Sequence, residues 1–296
     1  PDIQPRTAEM HAITNTADPN YKAPVGNPTV DATHPFPYAQ PVLNVISCTS
    51  IGKVFGGGLG TGAIMHADPT VNINMTPGAF ANNKEKGVPA VMTAMNLPAA
   101  DNPNKLGIIG DVYGGGNAAD VVGNPTVNIG TAAKVRNHMS YTAASGYVMS
   151  GEKDVKGAYI NGNVFGGGMG KADEFTCAKA MVGEINKGID IDNNPLPGGT
   201  SVVIAKGTVN GNVYGGGEIG RVERNTRVTI GVEGDESSEP IIKGNVFGAG
   251  KGLETHGYSA LVRGNAEVTI QGKAQVWQNV HGGGEKASVG RYNVRL

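Results

Sequence analysis

Gly211-Asn212-Val213-Tyr214-Gly215-Gly216-Gly217 is the stretch on which the reading of this chain turns. It has five relatives. Val-aromatic-Gly-Gly-Gly stands at 54–58, 112–116, 164–168 and 213–217. A copy with Ala249 as its fourth residue stands at 246–250, and one with His281 in place of the ring at 280–284. A Gly-Asn pair leads into three of them, at Gly162-Asn163, Gly211-Asn212 and Gly244-Asn245. A second, shorter motif lies between these copies. It reads TVNI at 70–73 and 126–129, SVVI at 201–204, RVTI at 227–230 and EVTI at 267–270. A longer form, VGNPTV, occupies 122–127 and again 25–30. Two motifs in ordered alternation mark an internally repeating chain.

The short motif alternates apolar with polar residues, the period of a strand with one face buried. The Gly-rich motif continues it: in 209–214 the odd positions point inward, and the asparagines and Tyr214 outward. Strands of four to seven residues cannot hold a core alone, so neighbouring repeats must stack. Glycines then serve the corners, where backbones approach too closely for a Cβ. The expected fold is all-β: a parallel β-helix (β-solenoid), right-handed by the usual crossover preference, with insertions as loops or short helices. Equivalent residues lie above one another in such a stack. Phe55, Tyr113, Phe165, Tyr214, Phe247 and His281 are therefore expected to form one ladder, either as packing between repeats or as a sugar-stacking strip.

Successive motif valines are 58, 52, 49, 33 and 34 residues apart. Intervals of 33 and 34 suit two compact turns each, and the longer ones require insertions, placed near 75–106, 131–159 and 171–199. Within the last, 175–185 reads as a helix. Residues 1–43 form a separate N-terminal arm, with 8 of the chain's 17 prolines in the first 41 positions. Such a chain is extended and cannot form a central strand. The repeat region is 44–296.

Composition narrows the function. The 296 residues carry 24 basic and 25 acidic side chains, a net charge of -1, which lacks the electrostatic footprint of a nucleic-acid binder. Glycine numbers 47, but without the three-residue period of collagen. Cys48 and Cys177 are too few for a disulfide framework or a zinc site. No apolar run approaches the roughly 20 residues of a membrane span. The chain starts Pro1-Asp2-Ile3 with neither an initiator methionine nor a signal sequence, as expected of a processed chain or a trimmed fragment.

In the Gly-Asn-Val-[Phe/Tyr]-Gly-Gly-Gly copies and the Val-x-Ile strands between them, the chain resembles the Gly-rich repeat β-solenoid proteins of Gram-negative bacterial surfaces and secretions, of the adhesin or autotransporter-passenger kind. The resemblance covers about 44–296. It implies a parallel β-helix, an extracellular or cell-surface location, and adhesion or matrix building. It brings no catalytic residues and no cofactor. The C-terminal membrane barrel of autotransporters has no counterpart here.

Motifs that carry chemistry are few. Residues 215–220 satisfy G-x-G-x-x-G, but the alternating segment 227–230 follows where a dinucleotide site needs a helix. Residues 166–171 lack the first glycine and the Ser/Thr of a phosphate loop. Six histidines are scattered without metal-ligand spacing. Asp190, Asp192 and Asn194 begin like a calcium loop, yet Pro195 stands where glycine is required and Ser201 where the bidentate glutamate belongs. A polysaccharide lyase or hydrolase would need clustered carboxylates on adjacent strands, whereas the outward strand positions are mostly Asn, Thr and Ser, apart from Asp111 and Glu267.

The expectation is a non-enzymatic structural or adhesive protein, partnered by further copies of itself, with glycans or a host surface as candidate ligands. Assembly would proceed by end-to-end stacking and exchange of the N-terminal arm, because 289–296 still alternates and supplies no cap. A stalk segment of a larger adhesin and the polysaccharide-active enzyme are the alternatives.

Overall fold

A computed structural model describes residues 40–77, 87–136, 140–142, 146–148, 151–172, 179–183 and 198–290. It is predominantly β, with parallel pairing throughout its two large sheets. The first sheet takes one strand from each of six successive repeats, in the order Val42–Val45, Thr70–Ile73, Thr126–Ile129, Gly199–Ile204, Asn225–Ile230 and Ala266–Ile270. Pairing is residue on equivalent residue: Val71 with Val127, Val127 with Val202, Val202 with Val228, Val228 with Val268. The short motif therefore forms this sheet, and its inward valines and isoleucines, Val71 to Ile230, are completely buried.

The Gly-rich motif builds the second sheet. Ser50–Phe55 and Ile108–Tyr113 run its full width. Later repeats break it into two short strands, such as Thr208–Val209 with Val213–Tyr214, and Ile241–Ile242 with Val246–Phe247. The registers again match motif to motif: Val112 with Val164, Val164 with Val213, Val213 with Val246, Val246 with Val280. Val213 therefore sits directly beside Val246. An interval of 33 residues is one repeat and not two compact turns, because each repeat spends residues on a third column that the motifs do not display.

That third column begins with Ile64–Met65 pairing Asp120–Val121 and continues as single bridges, Val121 to Val182, Val222, Val262 and Val289. The chain reaches it through a tight turn held by a residue in the left-handed region: Ala118, Ala180, Ile219, Ala260 and Lys286, all with φ between 53° and 64°. Val182, Val222 and Val262 form a small apolar cluster with Ala249.

The segment 75–106 contains a short helix, Val88–Ala94, and a 3-10 turn, Ala99–Asp101. Val88 and Met92 of the helix are buried in the main core. Segment 131–159 holds antiparallel pairs instead of loops or a helix: Lys134–Arg136 with Glu152–Asp154, and Ser140–Thr142 with Gly146–Val148. Of the helix expected over 175–185, residues 179–183 are in no helix; Val182 there belongs to the third column. The remainder of that segment lies outside the described residues. So do the arm up to residue 39 and Cys177, while the strand Val42–Val45 straddles the expected start of the repeats.

The glycine tract follows from these registers. A Cβ on Gly166 would lie 2.2 Å from the carbonyl oxygen of Gly215 in the next repeat. Gly166 N also donates to Tyr214 O at 2.9 Å. Backbone lies on backbone there, and only glycine fits.

Candidate functional site

The six ladder residues are brought together. Phe55, Tyr113, Phe165, Tyr214, Phe247 and His281 stack consecutively, with ring centroids 4.7 to 5.0 Å apart and planes within 10° of parallel. Strand alternation turns them away from the valines, which belong to the main core. The rings nevertheless form a buried cluster of their own. Tyr113, Phe165 and Tyr214 have no accessible surface, so the expected outward direction is correct for the strand but the rings do not reach solvent. Each inner ring has both faces covered by its neighbours. A sugar has no open face to stack on at Tyr113, Phe165 or Tyr214, and the sugar-stacking strip is excluded for these three rings.

Polar groups close the outer edge of the ladder. Tyr113 Oη donates to Glu218 Oε2 at 2.6 Å, and Lys251 Nζ lies 3.1 Å from the other oxygen of Glu218. Tyr214 Oη donates to Glu285 and accepts from Asn212 Nδ2 at 2.9 Å. Burial raises both phenols well above the usual tyrosine range, and hydrogen bonds to the two carboxylates raise them further. The tyrosines are therefore neutral donors at every physiological pH. Lys53 Nζ lies 5.5 Å over the Tyr113 ring and 3.3 Å from Asp111 Oδ2.

A second ladder runs beside the rings. Asp111 Oδ1 accepts from Asn163 N, Asn163 Oδ1 from Asn212 N, Asn212 Oδ1 from Asn245 N, and Asn245 Oδ1 from Asn279 N, at 2.7 to 3.1 Å. The Asn of the Gly-Asn run-in thus ties each repeat to the next through its side chain. Asn44, Asn72 and Asn128 do the same on the first sheet, amide to amide at 3.0 Å. Asp111, Glu218 and Glu285 are therefore engaged in holding repeats together, and the outward Glu267 pairs with Arg227 of the preceding repeat at 3.1 Å on the exposed face of the first sheet.

Among the described residues the repeats end on strands paired along one edge only. Val42–Val45 and Ala266–Ile270 are the outer strands of the first sheet. Ile230, Val246 and Val262 are fully buried, yet their equivalents Ile270, Val280 and Val289 are 39%, 47% and 42% exposed. A Cβ on Gly282 or Gly283 would touch nothing within 4 Å. At the other end Val42 and Leu59 are exposed.

Among the described residues no group of three His, Cys, Asp or Glu side chains could hold a metal ion. Asp190, Asp192 and Asn194 lie outside those residues. Among the described residues no helix is long and apolar enough to cross a membrane. The strand Asn225–Ile230 follows the G-x-G-x-x-G match, so no helix N-terminus faces that glycine turn. Comparison with family models, with curated proteins and with solved structures returns no match to this chain.

Proposed function

We propose that the chain is a parallel β-solenoid of six coils, and that it is a subunit of a self-assembling fibre or matrix on a bacterial surface, built by end-to-end stacking. The observation that carries this reading is the sixth repeat. It carries the Val-x-Ile and Val-x-Gly-Gly-Gly pattern of the repeats before it, but its Ile270, Val280 and Val289 are exposed where their equivalents are buried. Exposed strand edges that match an existing stack are templates for another copy. The edge strand Ala266–Ile270 of one subunit would pair with Val42–Val45 of the next, and His281 would continue the ring stack onto Phe55. Such a contact joins two different faces, so it does not close and propagates as a filament.

Support for a structural and not a catalytic role comes from the carboxylates: Asp111, Glu218 and Glu285 are engaged by backbone, tyrosine and lysine partners. The stalk of a longer adhesin is the second reading. There the same bare face would be covered by further coils of its own chain. Sedimentation separates the two. The 296-residue chain should form concentration-dependent polymers, and the charged pair Ile270→Lys with Val280→Lys should leave folded monomers with an unchanged circular dichroism spectrum. A wild-type chain that stays monomeric at every concentration contradicts assembly and favours the stalk.

A further inference from the structure

The chain's only tryptophan is Trp277, and it is 59% exposed. It borders a groove of about 350 Å³ between the outer face of the second sheet and the 3-10 turn Ala99–Asp101 of the first insertion. Lys243 Nζ lies 5.2 Å over the Trp277 ring and 2.5 Å from Asp101 Oδ2. The ring, the ammonium and the carboxylate are thus tied together across residues 101 to 277. Strand pairing fixes their spacing, since Trp277 N donates to Ile242 O at 2.8 Å beside Lys243. Thr208, Lys156 and Glu239 add further polar groups to the lining.

We propose that this groove binds a neutral pyranose glycan. Its volume is in the range of small-ligand sites, roughly 300 to 1,000 Å³. An exposed indole offers a flat apolar platform for the C–H face of a sugar ring. Asp101 accepts from hydroxyls while Lys243 and Thr208 donate to them. The charged lining balances, with Asp101 and Glu239 against Lys156 and Lys243, so nothing there selects a charged sugar. The groove extends the proposed surface role by giving it a ligand class, and it does not depend on assembly.

Because Trp277 is the sole tryptophan, its fluorescence reads the groove directly. The full chain, at a concentration where sedimentation finds it monomeric, is titrated with cellohexaose, mannohexaose, laminarihexaose and hexagalacturonate. At least one neutral hexaose should give a saturable change in emission. Asp101→Asn should weaken that binding about tenfold, the loss of roughly 1.4 kcal/mol, and Trp277→Ala should abolish the heat of binding in calorimetry while keeping the wild-type circular dichroism spectrum. No response to any neutral hexaose, tighter binding of hexagalacturonate, or full affinity in Asp101→Asn would each overturn the proposal. The assembly reading is scored separately, by sedimentation of the Ile270 and Val280 variants.

Discussion

Gly166 and Gly282 occupy the same place in their motifs and face opposite circumstances. A methyl on Gly166 would meet the Gly215 carbonyl at 2.2 Å and Thr200 Cβ at 3.0 Å, neither of which can move without breaking the register. A methyl on Gly282 meets nothing. Gly166→Ala should therefore cost about 3 kcal/mol, at the upper end for overpacking, whereas Gly282→Ala should stay within about 0.5 kcal/mol; urea denaturation of the two variants reads the difference. Cys48 is another residue whose surroundings set its chemistry. Burial pushes its thiol up to about 11 from an ordinary value of 9.0, about 100-fold less thiolate at neutral pH. In a Cys177→Ser background, native Cys48 should react with iodoacetamide at pH 8 about two orders of magnitude more slowly than the same chain in urea.

At the scale of the element, the ring ladder sets a pH limit on stability. The folded chain keeps Tyr113 and Tyr214 protonated, by burial and by their bonds to Glu218 and Glu285. The unfolded chain releases those protons near the usual tyrosine pKa of about 10. The folded state then binds more protons than the unfolded one, so stability falls as pH rises above about 10. Melting temperatures measured from pH 8 to 11 should drop across that window, and less steeply in Tyr113→Phe/Tyr214→Phe. The elements themselves were largely legible from sequence. Val-x-Ile strands and Val-ring-Gly-Gly-Gly segments carry their period openly, and their registers follow from motif identity. The burial of the rings was not legible, because alternation gives a side chain's direction and not what lies over it. The third column was missed for a related reason. It reduces to single bridging valines such as Val182 and Val222, and one residue has no period. Its signal was a recurring valine two or three positions after the left-handed turn residue, hidden because alanine, isoleucine and lysine fill that turn where glycine would have announced it. The Trp277 groove depends on Asp101, from an insertion far away in sequence, and no local pattern connects the two.

For the whole molecule, stability is built from similar contacts repeated between neighbours, as in other repeat architectures. Five ring pairs, contributing about 0.5 to 1.5 kcal/mol each beyond burial, and two asparagine ladders act in the same direction. An end repeat has such contacts on one side only, which is why Ile270, Val280 and Val289 remain bare. The central claim is that each repeat, with its strands in both sheets, forms one coil and that coils pile up at the strand spacing of about 4.8 Å. Spin labels at 42 paired with 201, 227 or 267, in a chain with Cys48 and Cys177 changed to serine, test it by pulsed electron paramagnetic resonance. These positions are equivalent in the first sheet, three, four and five repeats from Val42. The predicted Cα separations are about 14, 19 and 24 Å, rising evenly per repeat although the sequence gaps are uneven. Distances that do not increase in that order, or that rise with sequence separation instead of repeat number, would contradict the stacked-coil account.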